Sequence, residues 1–303
     1  MPTAVLPDRT SGTPQISDLP PLREIIARHG LGARRSLGQH FLLDLNLTHR
    51  IAQSAGQLTN MTVIEIGPGP GGLTRSLLAA GAGRIVAVER DSRCILALQD
   101  LKMTFPKTLE VIEADALNFR PDSIVGPDEK CIIVANLPYN IATRLLINWL
   151  RDLANIKSMT LMFQKEVAER IAASPGTSSY GRLSVVSQWL CDTKCLFDIP
   201  PQAFVPPPKV TSTLIQLIPK SAPVMPVAFA TLEAVTRAAF GQRRKMLRSS
   251  LKSLTAEPKK LLAIAGIQSD RRAETLTVAE FCILAQAHEN LTQGNFNTPP
   301  AGV

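Results

Sequence analysis

Cysteine chemistry is scarce in this chain. Its 303 residues hold five cysteines, Cys94, Cys131, Cys191, Cys195 and Cys282. The count is odd, and no paired CxxC motifs occur. Cys191 and Cys195 lack nearby histidines, and Cys131 sits in an apolar run. All five therefore read as reduced thiols without a metal, which fits the cytoplasm. Long hydrophobic runs are also missing. No stretch approaches the roughly 20 apolar residues of a membrane span. The N-terminus has no apolar core of the secretory kind. Acidic residues are in deficit, with 33 Lys+Arg against 25 Asp+Glu, a net charge of +8 and a pI near 9.5. Spread evenly, such an excess is a solvated surface; clustered, it marks a polyanionic partner. Apolar residues are plentiful at 45%, enough for one large domain or a large and a small one.

Residues 1–20 carry Pro2, Pro7, Pro14 and Pro20 among Thr, Ser and Gly, and read as a disordered tail. A main domain is expected over 21–219, with 21–60 as its N-terminal arm. Leu22–His29 suits a short helix stopped by Gly30. Then comes RRSLGQHFLLD, with Arg34 and Arg35 ahead of Phe41, Leu42 and Leu43. On the residues alone, this arm either packs on the domain or closes over a ligand.

Thr62–Ile66 is a short β-rich run that leads into Gly67-Pro68-Gly69-Pro70-Gly71-Gly72. Leu73, Leu77 and Leu78 follow at helical spacing, with Gly81 as a stop. A strand thus meets a helix through a glycine loop, whose backbone can approach a ligand closely. Arg84–Glu89 is a second strand ending in a carboxylate, 18 positions after Gly71. An acid there can accept both hydroxyl protons of a ribose. That pairing serves either NAD or S-adenosylmethionine (SAM). The G-x-G-x-G spacing, with Glu65 two residues before Gly67, favours SAM over NAD. A third strand ends near Ala114-Asp115-Ala116, where Asp115 is either a helix cap or an acceptor for an adenine amine.

Cys131–Ala135 is a fourth strand, and Asn136-Leu137-Pro138-Tyr139 stands at its tip. Strand tips are where open α/β sheets bind ligands. An amide oxygen and a carbonyl of Leu137 or Pro138 can hold both hydrogens of an amine. A tyrosine beside them can stack on a base, worth about 1–3 kcal/mol. Holding an exocyclic amine this way localises its lone pair and stabilises the positive charge that grows on nitrogen during alkylation. The methylated ammonium loses its proton to water, so a catalytic His or Cys is not required. Asn136 as a simple turn cap is the plain alternative.

Helices follow, capped by Thr143 or Asn140 and running through Arg151, then over 164–171 and 182–190, with late strands at 194–199 and 211–218. Between those strands a proline-rich loop carries Phe204, either a core residue or a second wall opposite Tyr139. After a linker at 219–226, residues 226–290 read as a helical domain. Arg243, Arg244, Lys245, Arg248 and Lys252 cluster there, with no acid over 241–252. Phe240, Leu247, Leu251 and Leu254 share one face of a helix, and Arg244, Arg248 and Lys252 form a column on another, a basic stripe suited to phosphate contacts, with Arg271 and Arg272 adding to the patch. Residues 291–303 read as a second disordered tail.

Together the stretches LGQHFLLD, EIGPGPGGLT, VAVERD, EADAL, ANLPYNI, FQKEVAERI, SSYGRLSVVSQW, AFVPPPKVTS, FGQRRKMLRSSL and RAETLTVAEF resemble the bacterial small-subunit rRNA adenine N6,N6-dimethyltransferases, in family order from about residue 35 to 285. The resemblance implies an α/β fold, a Rossmann-like methyltransferase sheet with a last antiparallel strand, plus a small all-α C-terminal domain. It implies SAM as cofactor and transfer of four methyls to two adjacent adenosines in the 3′-terminal hairpin of small-subunit rRNA. The substrate would be a pre-30S particle, in the cytoplasm. Nothing in the sequence pattern asks for a dimer, so a monomer is expected. By position, His40, Leu42, Gly67, Gly69, Glu89, Asp115, Ala116 and Asn136 resemble the family's cofactor contacts. Asn136, Pro138 and Tyr139 resemble its target-base site, with Phe204 as the opposing stack, and the arm becomes a ligand-closing element. The family's arm commonly reads Gln-Asn-Phe, and this chain has Gln39-His40-Phe41. An imidazole can still donate a hydrogen bond to the SAM carboxylate in place of the amide, but its donation depends on tautomer and pH. Large-subunit rRNA methylation and a non-catalytic assembly factor are the alternatives.

Overall fold

The structure is a computed structural model that describes residues 15–34 and 38–293. Most of both expected tails (1–14 and 294–303), together with Arg35, Ser36 and Leu37, lie outside the described residues. Two boundaries differ from expectation. Residues 16–18 form a 3-10 turn, and Arg75 donates to the carbonyl of Pro20 at 2.7 Å, so the arm is already anchored to the domain before residue 21. At the other end, the last helix continues to Thr292.

The arm comprises α1 (Leu22–Arg28), the two-residue strand β1 (Phe41–Leu42) and α2 (Leu45–Ser54). Asp44 caps α2 by accepting from the amides of Asn46 and Leu47. The sheet domain follows: β2 (Thr62–Ile66), α3 (Gly72–Ala79), β3 (Arg84–Glu89), α4 (Ser92–Thr104), β4 (Leu109–Glu113), β5 (Cys131–Asn136), α5 (Tyr139–Leu150), β6 (Ile156–Gln164), α6 (Lys165–Ala172), α7 (Arg182–Leu190), β7 (Cys191–Ile199), β8 (Phe204–Val205) and β9 (Ser212–Pro219). The large sheet has the order β4-β3-β2-β5-β6-β9-β7. Its first five strands are parallel, and β9 runs antiparallel to both β6 and β7. The antiparallel strand is therefore present, one place in from the edge.

Both faces of this sheet are covered, and the apolar strands split their residues by period two. Ile64, Ile66, Val86, Val88, Ile133 and Ala135 face the core shared with α5. Val63, Ile85, Ala87, Ile132 and Val134 face the core under α2 and α3. Two local readings change. α5 is capped at Pro138, whose carbonyl accepts from the amides of Ile141 and Ala142, rather than at Asn140 or Thr143. Phe204 is not held out on its loop: it is 1% exposed, while Val205 is 52% exposed. The reason is that β8 pairs with β1, Leu42 opposite Phe204 and Phe41 opposite Val205, and pairing turns alternate side chains inward.

The helical end holds α8 (Phe229–Gly241), α9 (Leu247–Ser250), α10 (Pro258–Ile264) and α11 (Val278–Thr292). Its core is not its own. Tyr180, Val185 and Trp189 from α7 and the loop before it pack among Leu232, Leu247, Leu261 and Phe281. Trp189 donates to the carbonyl of Met225 at 2.9 Å, and Arg151 pairs with Glu233 at 2.8 Å with its guanidinium over the Phe229 ring. The 219–226 linker is thereby strapped to α7. The single basic helix is corrected as well. α8 stops at Gly241, and residues 242–246 turn before α9, pinned by a bridge between Met246 and Arg272. Leu247 and Leu251 still face the core, but along a bent path that breaks the regular column.

Candidate active site

The tips of β2, β3, β4 and β5 open into one cavity, roofed by the arm at His40, Phe41 and Leu42. Gly67, Gly69, Glu89, Asp115, Ala116, Asn136, Pro138 and Tyr139, all singled out from the sequence, line it together. The glycine loop serves the roof. A Cβ on Gly72 would lie 2.7 Å from the Leu42 carbonyl oxygen, and one on Gly69 (φ +57°) would lie 3.0 Å from the Phe41 ring. Any side chain at these two places would lift the arm.

Glu89 is buried at the tip of β3. Its Oε1 accepts from the amides of Arg90 and Asp91, both at 2.8 Å, and its Oε2 from Gly69 at 3.0 Å. Burial raises its pKa, and these three amides pull it back. A carboxylate offers about four acceptor positions, so capacity remains for a ribose. Asp115 accepts from the Leu117 amide at 3.0 Å and from Arg90 at 3.2 Å. The cap reading and the ligand reading of Asp115 are compatible, because only part of its acceptor capacity is used.

Asn136 donates from Nδ2 to the His40 carbonyl at 2.9 Å. That bond fixes the amide's orientation and leaves Oδ1 as the face available to an amine. The two candidate carbonyls differ in what they already accept. Pro138 O already accepts two helix amides, whereas Leu137 O has no partner among the described residues. Tyr139 is anchored by its hydroxyl against Ser212 on β9 at 2.5 Å. Its ring packs on His40, centroids 5.6 Å apart and 26° between planes. His40 Nδ1 lies 2.7 Å from the Pro206 carbonyl, which can only accept, so Nδ1 carries the proton. The His40 ring is thus turned toward Tyr139 and Pro206, and its donor is already used.

Two features escaped the sequence reading. Glu65 is 1% exposed, lines the cavity, and has Oε2 without a partner. Burial pushes its pKa up to about 8, with a smaller contribution from Glu89. Its signal was an acid inside an otherwise apolar strand, which the sequence reading used only for spacing. The second is a clip that holds the arm. Gln39 donates to Asp91 at 3.0 Å, Arg93 pairs with Asp91 at 2.6 Å, and Arg93 also donates to the carbonyls of Gly30 and Gly32. The Arg93 guanidinium holds Asp91 down to about 2.

The basic end is sparsely paired. Arg244, Lys245 and Lys252 are exposed and Arg248 is half-buried, with no carboxylate partner among the described residues. Arg243 differs, since its guanidinium donates to the carbonyls of Ser178 and Tyr180 and braces the loop before α7. Arg271 leaves the expected patch altogether, because it is paired with Glu280.

Comparison with known proteins bears on this geometry. The profile of the family described as Ribosomal RNA adenine dimethylase matches residues 30–289. The chain belongs to that family. It is 56% identical over 269 residues to the Ribosomal RNA small subunit methyltransferase A of Rhodospirillum rubrum, covering 89% of this chain and 92% of the relative. With the protein of the same name from Agrobacterium fabrum it shares 57% over 273 residues, covering 89% and 98%. Among solved structures, a dimethyladenosine transferase from Plasmodium falciparum superposes with a TM-score of 0.70 at 27% identity, covering 84% of this chain and 98% of that one. A 23S rRNA methyltransferase superposes at 0.62 with 26% identity, covering 82% and 99%. Among the described residues, no group of His, Cys, Asp and Glu could hold a metal, and no helix is long and apolar enough to cross a membrane.

Proposed function

We propose that the protein dimethylates adenine N6 on two adjacent adenosines of small-subunit rRNA, within a pre-30S particle in the cytoplasm, as a monomer. The observation that carries the reading is the pair of uncommitted acceptors, Asn136 Oδ1 and Leu137 O, beside the Tyr139 ring in the cavity of Glu89 and Asp115.

The residues present fit SAM. Glu89 would hold its ribose hydroxyls and Asp115 its adenine amine. Gly67, Gly69, Leu42 and Ala116 would form the walls. The buried, unpartnered Oε2 of Glu65 is an acceptor of the kind that an ammonium group would satisfy. The cofactor, when bound, supplies an electrophilic methyl group. The rest belongs to the chain. Asn136 Oδ1 and Leu137 O accept the two N–H groups of the adenine amine and turn its lone pair out of the ring's conjugation. Tyr139, pinned through its hydroxyl, stacks on the base and keeps it out of the helix from which it was flipped. The two acceptors stabilise positive charge on nitrogen as it forms. Water takes the proton, so no histidine or cysteine is needed. After the first methyl only one N–H remains, so one acceptor of the cradle goes without a donor in the second transfer. Arg244, Lys245, Arg248 and Lys252 hold the phosphates of the surrounding RNA, with Arg243 adding charge from its structural position.

Incubation with labelled SAM and small subunits lacking this modification is expected to label two adjacent adenosines. Label confined to large-subunit RNA would favour the other reading, which the likeness to a 23S rRNA methyltransferase keeps in view.

A further inference from the structure

We propose that the His40 imidazole is a plug in the base-stacking slot, and that the target adenine enters by displacing it. The inference rests on reading the cavity beside Asn136 as an adenine site. A ring stacked on Tyr139 would sit about 4.5–7 Å away by centroid. His40 already occupies that position, at 5.6 Å and 26°. The same imidazole meets Phe204 edge-on, at 6.4 Å and 82°. Phe204 is 1% exposed, with the β1–β8 pairing turning it inward and the imidazole packed edge-on against it, so its ring offers no open face to a base. The family resemblance assigns Tyr139 and Phe204 as the two walls of the slot. In this chain the arm's own ring lies between those walls.

His40 is held for this by two different bonds. Its backbone carbonyl accepts from Asn136 Nδ2 at 2.9 Å, and its ring Nδ1 donates to Pro206 O at 2.7 Å. The β1–β8 pairing fixes the strand that begins at the next residue, Phe41. The side chain can therefore swing out at the cost of one ring hydrogen bond while the backbone latch to Asn136 remains. The slot opens without unfolding the arm, and Asn136 keeps the orientation that presents Oδ1. An asparagine at this place, as the family's arm commonly has, offers a donor but no ring to stack. The plug is thus specific to chains with His40.

The test uses the full-length protein saturated with SAM and labelled with ring-¹³C histidine. The chain has four histidines, so four ring signals are expected, and the one missing in His40→Asn is His40. The probe is N6-methyladenosine, followed by saturation transfer from the protein, with Tyr139→Ala as the control for binding in the slot. The expected result is Tyr139-dependent binding together with a shift of the His40 signal away from its ring-stacked position. His40→Asn should bind the nucleoside about five-fold more tightly, the factor that one ordinary hydrogen bond represents. Tyr139-dependent binding with an unmoved His40 signal overturns the plug and leaves the adenine site standing. Equal or weaker binding by His40→Asn overturns it as well. Absence of any Tyr139-dependent binding overturns the adenine reading, and the plug with it.

Discussion

Asn136, Glu89 and Tyr139 at the sheet tip are each fixed by a hydrogen bond with another element or loop. Arg244, Lys245, Arg248 and Lys252 at the helical end have no carboxylate partner among the described residues. The first group is built for geometry: its side chains are oriented before any ligand arrives, and an error of an ångström is costly. The second suits charge: cations on a bent backbone, all but Arg248 exposed, can follow an irregular polyanion, and each adds a similar increment. In the proposed function, chemistry and affinity thus fall to different parts of the chain. α7 joins them, because Val186 packs in the sheet core while Val185 and Trp189 pack in the helical core.

The largest effect is expected at Asn136. Asn136→Ala removes the amide acceptor and frees the His40 carbonyl, and should slow methyl transfer by about 10²–10³-fold or more. RNA affinity, measured by filter binding, should stay within a few-fold. A variant that loses both in parallel would break the division of labour. At the other end, Arg244→Glu with Arg248→Glu should weaken RNA binding and reduce the salt slope of log K by about two. An unchanged slope would make these cations a solvated face.

Glu65 sharpens the comparison in a different way, through stability. Its carboxyl ionises near 4.5 in the unfolded chain and at about 8 in the folded one. Between those values the folded state holds the extra proton, so stability falls as pH rises across that window. Glu65→Gln removes the penalty and should raise Tm by about 2 °C or more at pH 8 and hardly at all at pH 5. Calorimetry at the two pH values checks it, and an equal change at both would contradict the sign. The smallest effect is expected at the arm clip. Arg93→Ala leaves Gln39 as the side-chain partner of Asp91, beside the retained backbone amide at 93, and should weaken SAM binding by only about two- to five-fold.

What could be read from the sequence followed the range of the interaction. The strands of the sheet announced themselves as apolar runs, because both faces are covered. Glu89, Asp115 and Asn136 could be picked out because each stands at the end of such a run. Features made by distant pairing could not be found this way. Phe204 turns inward only because β8 pairs with β1, 162 positions earlier in the register of Leu42 and Phe204. The ring of His40 is placed by Pro206, and the arm is clipped by Asp91 and Arg93, neither of which is near in sequence. The break after Gly241 carries no proline, and its one sequence signal is the glycine itself. Its turn is set by the bridge from Met246 to Arg272, which pattern reading does not see.

The division of labour is tested most directly by single-turnover methylation of small subunits across a salt series. The wild type, Asn136→Ala and the Arg244→Glu, Arg248→Glu pair would be compared. The account predicts that the Asn136 variant loses rate at saturating RNA with its half-saturating concentration and salt dependence unchanged. The charge-reversed pair should keep the saturating rate and lose affinity, most strongly at low salt. A fall in saturating rate for the charge-reversed pair comparable to that of Asn136→Ala would contradict it.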